Sequence, residues 1–274
     1  MSAFKVSNEQ ILLQFGHVLA GINVRAFEAR EERGRLICFH SFVGNARDFD
    51  PLAGFLAANG VSVIAADMYG RGESAHFDAP GQYRLRRIVQ AAAAVLDKYG
   101  RDATILGTGW GAVISLLGLT VGGLKPRAFI ALDLQLDFSI DDDPVIAQAM
   151  LDRGKIFPAA QAALEHVRQS PEFVALPPEA DISNRIRADG AHYRLNYDDG
   201  ITHPTQYFGG RRYDLVETLV ANGADVLFLT AGPAQQVPTE FTSIGGVGPQ
   251  GPLLLRSAHE HYLILGYLLA QARA

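Results

Sequence analysis

ATILGTGWGA, residues 103–112, is the most informative stretch of this chain. Its first four residues form a short apolar run that predicts a buried strand. Gly107, Gly109 and Gly111 then alternate through a tight turn, and an apolar helix is predicted from residue 112 to about residue 119. A strand, a glycine-rich turn and a helix in direct succession are typical of an α/β protein.

The same alternation continues along the chain in both directions. Apolar runs predict strands, and segments of helical period between them predict helices. The predicted strands cover residues 35–40, 61–66, 103–106, 127–132 and 225–229, and the predicted helices cover 49–59, 84–99 and 112–119. Continuous apolar strands separated by helices indicate a mostly parallel central sheet with helices on both faces.

Composition limits the possible functions. The chain has 274 residues, 48% hydrophobic and 19% charged, which is a globular balance and excludes wholesale disorder. A net charge of -5 gives no electrostatic reason to expect nucleic acid or an anionic membrane as a partner. Cys38 is the single cysteine, so an intrachain disulfide and a multi-cysteine metal cage are excluded.

We infer the cellular location from the sequence signals for membrane insertion and secretion. No run reaches the roughly 18 apolar residues of a membrane helix, and no signal peptide is recognised. We therefore expect a cytoplasmic protein. We expect no metal and no cofactor, since no His, Asp or Glu spacing indicates a metal site.

The pattern changes between residues 139 and 211. Asp141-Asp142-Asp143-Pro144 predicts a helix start, residues 158–169 a second short helix, and Pro177-Pro178 a third start. Asp198-Asp199-Gly200 predicts a turn. Because no buried-strand pattern is present, we interpret 139–211 as a helical lid inserted into a core formed by residues 1–138 and 212–274. The alternative is a loose surface excursion.

Five motifs in the expected order resemble the α/β-hydrolase superfamily, specifically its lidded small-molecule hydrolases. The resemblance covers nearly the whole chain. Residues 39–44 (FHSFVG) resemble the oxyanion loop, 67–74 (DMYGRGES) the Asp-x-x-Gly-x-Gly-x-Ser turn, 107–111 (GTGWG) the nucleophile elbow, 197–201 (YDDGI) a segment near the end of many lids, and Ala258-His259 the site of the catalytic histidine. The resemblance implies an α/β-hydrolase fold.

Two positions depart from the family's catalytic pattern. Working hydrolases carry serine at the centre of the elbow, where this chain has Gly109, so no acyl-enzyme can form at that position. The family often places its acid after the strand predicted at 225–229, but residues 231–236 (AGPAQQ) contain no carboxylate. By this alignment, the nucleophile and the usual acid are both missing.

The sequence still offers candidates for a general base and for the acid that orients it. Some relatives place the acid at the end of the strand that here is 127–132, so Asp133 is a candidate partner that orients His259 as a general base. His261 competes with His259 for that role. The alternative is that Asp133 caps a turn and His259 has only a structural role.

The resemblance also implies an oxyanion site made of the backbone N–H groups of Phe42 and Trp110, which survive any change of side chain. Six further side chains are candidates for lining the pocket: His40, Ser41, Thr108, Tyr69, Tyr193 and His261. Trp110 is either a pocket wall or packing beneath the lid. Ser41 and Thr108 are the weak candidates for a substitute nucleophile, whereas Cys38 and Ser115 are expected to be core residues.

Three functions stay open at this point. The first is a non-hydrolytic protein that binds a small-molecule ligand in the pocket that holds the substrate in related hydrolases, as a receptor, carrier or accessory protein. The second is an enzyme with nucleophile-free chemistry, and the third is a weak esterase-like hydrolase with a substitute nucleophile. The sequence leaves the ligand, the oligomeric state and the origin of Gly109, natural or engineered, undetermined.

Overall fold

Strands alternate with helices from residue 34 to residue 132 in the computed structural model, which describes residues 3–77, 79–134, 142–173, 180–203, 215–222, 224–230, 241–244 and 258–271. The strands are β1 (Phe4–Phe15), β2 (Val18–Ala29), β3 (Gly34–Phe39), β4 (Val61–Ala66), β5 (Thr104–Thr108), β6 (Ala128–Leu132), β7 (Ile186–Asp189), β8 (His192–Leu195), β9 (Asp225–Leu229) and β10 (Thr242–Ile244). The α-helices are α1 (Asp50–Ala58), α2 (Leu85–Tyr99), α3 (Trp110–Gly122), α4 (Pro144–Leu151), α5 (Ala160–Arg168), α6 (Leu215–Asn222) and α7 (Ala258–Gln271).

The central sheet has the order β1-β2-β4-β3-β5-β6-β9-β10 among the described residues. The pairings from β4 through β3, β5, β6 and β9 to β10 are all parallel, and β1 and β2 add an antiparallel edge. The predicted mostly parallel sheet is therefore confirmed. Every residue of β4, β5 and β6 is buried, which explains why these strands appear in the sequence as continuous apolar runs.

Helices cover both faces of this sheet, as the sequence predicts. Buried side chains of α2, α3 and α6 pack together with one face. Those of α1 and α7 pack together with the other face. The carboxyl ends of β3, β4, β5 and β6 meet at one edge, where side chains and turns from different strands can form a site.

The β1–β2 hairpin was not predicted from the sequence. β1 is half-buried or exposed along its whole length, so it carries no continuous apolar run. The two strands pair from Phe4↔Ala29 to Phe15↔Val18 around a two-residue turn. Gly16 occupies that turn at φ +62°, a conformation that glycine adopts without strain.

The described residues between β6 and β9 lie outside the central sheet, and β9 then pairs with β6. The predicted helix start is confirmed, because Asp143 caps α4 and its carboxylate accepts hydrogen bonds from the amides of Val145 and Ile146. The predicted turn is also confirmed, since Asp198 accepts from the amide of Gly200. The helix expected from Pro177-Pro178, Asp141, Arg211 and the limits 139 and 211 lie outside the described residues.

The segment predicted as a helical lid also contains two strands that the sequence does not predict. β7 and β8 form a two-stranded antiparallel sheet between the 3-10 helix at Ser183–Arg185 and the turn at Asp198. Apart from Leu195, its residues are exposed or half-buried, so no buried-strand pattern marks it in the sequence. We call the described residues 142–173 and 180–203 the insertion. None of the described helices is both long and apolar enough to span a bilayer.

Candidate functional site

The turn from β5 into α3 forms the centre of the site. Gly109 caps the helix with φ +49° and ψ -117°, its N–H donates to the carbonyl of Leu132 at 2.9 Å, and its own carbonyl accepts from Ala112 at 3.0 Å. These bonds fix a sharp strand-to-helix turn at the carboxyl edge of the sheet. The positive φ at its apex is strained for any residue with a side chain.

The three glycines of this turn are not equivalent. A Cβ on Gly107 would lie 2.3 Å from the Cα of Ala112, and a Cβ on Gly111 would lie 2.3 Å from the carbonyl oxygens of Phe39 and His40. Packing therefore requires glycine at both flanks. A Cβ on Gly109 would meet no heavy atom of the described residues within 4 Å, so the apex faces open space.

Two aromatic residues adjoin the apex. Trp110, the first residue of α3, packs edge-to-face on Phe42 with ring centroids 6.3 Å apart, and both side chains are buried. The N–H of Trp110 belongs to the first helical turn, whose amides point away from the helix body. The predicted oxyanion residues are thus neighbours through their side chains, and their use as amide donors stays a prediction.

The loop that carries Phe42 is held by two buried arginines. Arg71 donates through Nε to the carbonyl of Phe42 at 2.8 Å, and its guanidinium lies 4.9 Å from the centre of the Phe42 ring. Arg185 donates to the carbonyl of Val43, also at 2.8 Å. Because these are charge-assisted hydrogen bonds in a buried environment, they fix the carbonyl groups of two consecutive residues, Phe42 and Val43.

His40 is a structural residue. The amide of Met68 donates to its Nε2 at 2.9 Å, so Nδ1 carries the proton and donates to the carbonyl of Ser41 at 2.7 Å. Burial lowers the pKa of His40 to about 3, with the charges of Arg71 and Arg185 acting in the same direction. A neutral imidazole with both nitrogens engaged holds the loop against the amide of Met68.

The Asp67–Ser74 turn is structural as well. The Asp67 carboxylate accepts from the amide of Ala46 at 2.6 Å, from Asn23 Nδ2 at 2.8 Å and from the amide of Glu73 at 3.0 Å. Burial raises its pKa to about 6 against these bonds. A Cβ on Gly72 would lie 2.4 Å from this carboxylate, so the motif packs too tightly for any other residue.

The YDDGI segment ties the end of the insertion to that turn. The amide of Asp198 donates to the carbonyl of Gly70 at 2.7 Å, and the Tyr83 hydroxyl donates to the Asp198 carboxylate at 2.8 Å. A Cβ on Gly200 would lie 2.6 Å from the Tyr83 ring. This motif therefore marks a packing contact between insertion and core.

Ser41 lies on the loop but turns toward the insertion. Its hydroxyl donates to Oε1 of Glu172 at 2.5 Å. Glu172 lies in the insertion and is 5% exposed. Burial raises the pKa of Glu172, although Arg185 opposes that shift. The hydroxyl considered as a substitute nucleophile is therefore engaged in a contact between loop and insertion.

Asp133 and His259 lie on different elements of the fold. Asp133 follows β6 with φ +48°, and its N–H donates to the carbonyl of Leu229 at 2.9 Å. His259 is the second residue of α7 and is exposed. Within the described residues no hydrogen bond or ion pair joins the two side chains, and their catalytic pairing stays a prediction.

The remaining predicted pocket residues lie in several environments. His261 is 7% exposed, and its ring lies 5.3 Å from that of Phe55 on the α1 and α7 face. Tyr69 is fully buried between aromatic rings, and Tyr193 pairs through its backbone with Phe157 in the insertion.

The Oγ1 of Thr108 is buried and finds no hydrogen-bond partner among the described residues. Cys38 and Ser115 are core residues, as predicted.

Sequence reasoning missed the charged residues that hold the loop. Arg71 lies inside the 67–74 motif, so its position next to two structural glycines was an available signal. Glu172, Arg185 and Asp48 carry no such signal, because Glu172 and Arg185 reach the core only through tertiary packing against Ser41 and Asp48, more than a hundred positions away.

Comparison with known proteins agrees with this geometry. The model of the "Alpha/beta hydrolase family" matches residues 36–264. The chain is similar to the solved structure of a thioesterase domain from the curacin biosynthetic pathway, with 18% identity, a TM-score of 0.71, and coverage of 96% of this chain and 99% of that one. It is also similar to a putative hydrolase from Rickettsia typhi, with 18% identity, a TM-score of 0.74, and coverage of 96% and 98%.

A third similar structure is an alpha/beta hydrolase from Novosphingobium aromaticivorans, with 18% identity, a TM-score of 0.71 and coverage of 99% of both chains. No curated protein matches the chain. Identities this low show a shared fold only, whereas the family model spans most of the sequence. The chain belongs to the alpha/beta hydrolase family.

Proposed function

We propose that this protein binds a small carbonyl-containing molecule above Gly109 and does not hydrolyse esters by acyl transfer. One observation carries the proposal. The turn keeps its flanking glycines under tight packing, yet its apex has no side chain, and a Cβ there would meet no atom of the described residues within 4 Å. The scaffold that would present a nucleophile is retained, and the nucleophile itself is absent.

The surroundings of the apex suit a ligand with a flat apolar part and a polar oxygen. The rings of Trp110 and Phe42 offer aromatic surface, and their amides are the proposed donors to the ligand's oxygen. Glycine at the apex lets the ligand approach the backbone closely. We propose that the insertion acts as the lid over this site, since Glu172 and Arg185 contact the loop directly.

Binding and turnover are tested separately. Butyranilide, an inert amide with a carbonyl and an aromatic ring, is titrated while the fluorescence of Trp110, the only tryptophan, is followed. Saturable change in emission is expected for the wild type and a weaker response for Phe42→Ala. Absence of any response from the wild type would overturn the binding proposal for this ligand class.

Steady-state turnover of p-nitrophenyl butyrate and of a butyryl thioester is measured on the wild type, Gly109→Ser and His259→Ala. The proposal expects the wild type and His259→Ala to be equally inert. Gly109→Ser is also expected to stay near background, because the usual acid position in 231–236 holds no carboxylate. Efficient hydrolysis by the wild type contradicts the proposal.

One observation favours a second candidate, catalysis without a nucleophile. Asp133 adopts a left-handed backbone directly after Leu132, the residue that accepts the Gly109 hydrogen bond, and strained residues concentrate at functional sites. In this candidate His259 acts as general base with Asp133 as its partner, and the ligand loses a proton or is attacked by activated water. Wild-type turnover that His259→Ala and Asp133→Asn both abolish would favour it over pure binding.

A further inference from the structure

A buried cluster joins the insertion to the loop that carries Phe42. We call Ser41, Asp48, Glu172 and Arg185 the junction cluster. The last three are each no more than 5% exposed, and Ser41 is half-buried. Two members come from the core and two from the insertion, and neither the elbow nor the Asp67–Ser74 turn includes any of them.

Ion pairs and hydrogen bonds through Arg185 and Glu172 connect the members of the junction cluster. Arg185 lies 2.9 Å from Oδ2 of Asp48 and 3.3 Å from Oε2 of Glu172. Oε1 of Glu172 accepts from the Ser41 hydroxyl at 2.5 Å. Arg185 also donates to the carbonyl of Val43 at 2.8 Å. The guanidinium is thus surrounded by two carboxylates and a carbonyl, all with little access to water.

A pair of asparagines extends the same junction. Asn45 donates through Nδ2 to the carbonyl of Asn184 at 2.8 Å, and Asn184 donates back to Asn45 Oδ1 at 3.1 Å and to Asp48 Oδ1 at 2.7 Å. The residue next to Arg185 is therefore bound to the same core segment. This makes the position of Arg185 relative to Asp48 rigid, since several short bonds would have to break together.

These contacts hold the residues on both sides of Phe42. The residue before it, Ser41, is tied to Glu172, and the residue after it, Val43, is tied to Arg185. The backbone at Phe42 has little freedom to move while both bonds are made. The ring of Phe42 packs on Trp110 beside the apex, so a shift of this loop changes the wall of the proposed site directly.

We propose that Glu172 and Arg185 are positioning residues, which transmit the position of the insertion to Phe42 and so set the affinity of the site for its ligand. This inference rests on the proposed function for the affinity part only. The position of Phe42 relative to Trp110 exists without any ligand and is measured independently.

Glu172→Gln is the central variant. It keeps the size of the side chain but removes the charge that faces Arg185, and it turns one acceptor into a donor. Glu165→Gln is the matched control, because Glu165 carries the same charge in the same insertion but is exposed on α5. Ser41→Ala removes the hydroxyl bond without touching a charge, and Ser41→Thr retains the hydroxyl.

Acrylamide quenching of Trp110 is measured first, with no ligand present. Glu172→Gln and Ser41→Ala are expected to increase the accessibility of Trp110, while Glu165→Gln and Ser41→Thr keep the wild-type value. Wild-type quenching in folded Glu172→Gln would overturn the proposal. If Glu172→Gln does not fold, Ser41→Ala decides alone, and wild-type quenching in that variant overturns the proposal equally.

Butyranilide titration follows on the same proteins. Glu172→Gln is expected to weaken binding about tenfold, and Glu165→Gln to leave it unchanged. Absence of binding by the wild type would defeat the proposed function but not the quenching result, which separates the two failures. Wild-type affinity in Glu172→Gln, despite altered quenching, would show that the junction cluster does not set affinity and would overturn that part.

Discussion

Two glycine-rich turns follow β4 and β5, the strands on either side of β3, and show opposite relations between sequence and packing. In the turn after β4, Asp67 accepts three hydrogen bonds and Gly72 packs against its carboxylate. In the turn after β5, the flanking glycines are equally constrained, but a Cβ on the apex Gly109 would meet no described atom within 4 Å.

The difference separates residues that the fold requires from residues that the function uses. The Asp67 carboxylate holds two backbone amides and the Asn23 side chain, so a change of this residue is expected to lower stability. The apex of the second turn has no contact within 4 Å among the described residues, so a small side chain there is compatible with this fold. The proposed absence of a nucleophile at this position is therefore compatible with an intact structure.

Gly111→Ala gives the largest expected effect. Its Cβ would overlap the carbonyl oxygens of Phe39 and His40, which are backbone atoms and yield little. We expect the free energy of unfolding to fall by about 3 kcal/mol or more, measured by urea denaturation. A loss below about 1 kcal/mol would contradict the requirement for glycine at this flank.

Asp67→Asn comes next. The amide retains one acceptor oxygen but places an NH2 group against backbone donors, which leaves buried groups unsatisfied. The expected loss is about 2 kcal/mol, again by urea denaturation at pH 7. Asp97→Asn on the exposed side of α2 is the control and should leave stability unchanged.

His40 predicts a pH dependence with a defined sign. Its pKa is lowered by burial to about 3 in the folded state, so the unfolded chain binds a proton at a higher pH than the folded one. Stability from His40 is complete above its ordinary pKa and is lost as pH falls from about 6.5 toward 3, by up to about 1.4 kcal/mol per pH unit.

His40→Asn isolates this contribution, because Asp67 and the other carboxyl groups are common to both proteins. The difference in unfolding free energy between wild type and variant should shrink as the buffer is changed from pH 7 to pH 4.5. A difference that stays constant over this range would mean that His40 is not held neutral by burial.

Gly109→Ala has the smallest expected effect. Its methyl group meets no described atom, so only the strain of a positive φ opposes it, at about 1 kcal/mol. Compared with Gly111→Ala, two residues away and identical in chemistry, this variant measures the contrast within one turn. Equal losses for the two variants would remove the distinction between apex and flank.

Much of the fold was predictable because parallel strands are buried on both faces. Residues 61–66 and 225–229 were predicted as strands with the bounds that the structure has. The β1–β2 hairpin and the β7–β8 sheet were missed for the opposite reason, since their partial exposure leaves no apolar run. The hydrophobic pattern of a sequence reflects which residues are buried, so strands that are only half-buried leave a weak pattern.

The site was predictable only where its geometry is local. The turn at Gly109 and the cap at Asp143 are specified by neighbouring residues, and both were recognised. The junction cluster was not, because Ser41 and Glu172 are 131 residues apart. The expected Asp133–His259 pairing needed the same long-range information, and its catalytic role stays a prediction.

Pre-steady-state mixing with p-nitrophenyl butyrate tests the central claim most directly. The wild type and Gly109→Ala are mixed with excess ester, nitrophenolate release is followed, and each protein is then analysed by intact-mass spectrometry for a butyryl group. With no nucleophile at the apex, the account predicts no burst and no covalent adduct for either protein. A burst of one nitrophenolate per wild-type chain with a matching adduct would contradict it, because acyl transfer would then proceed without a side chain at residue 109.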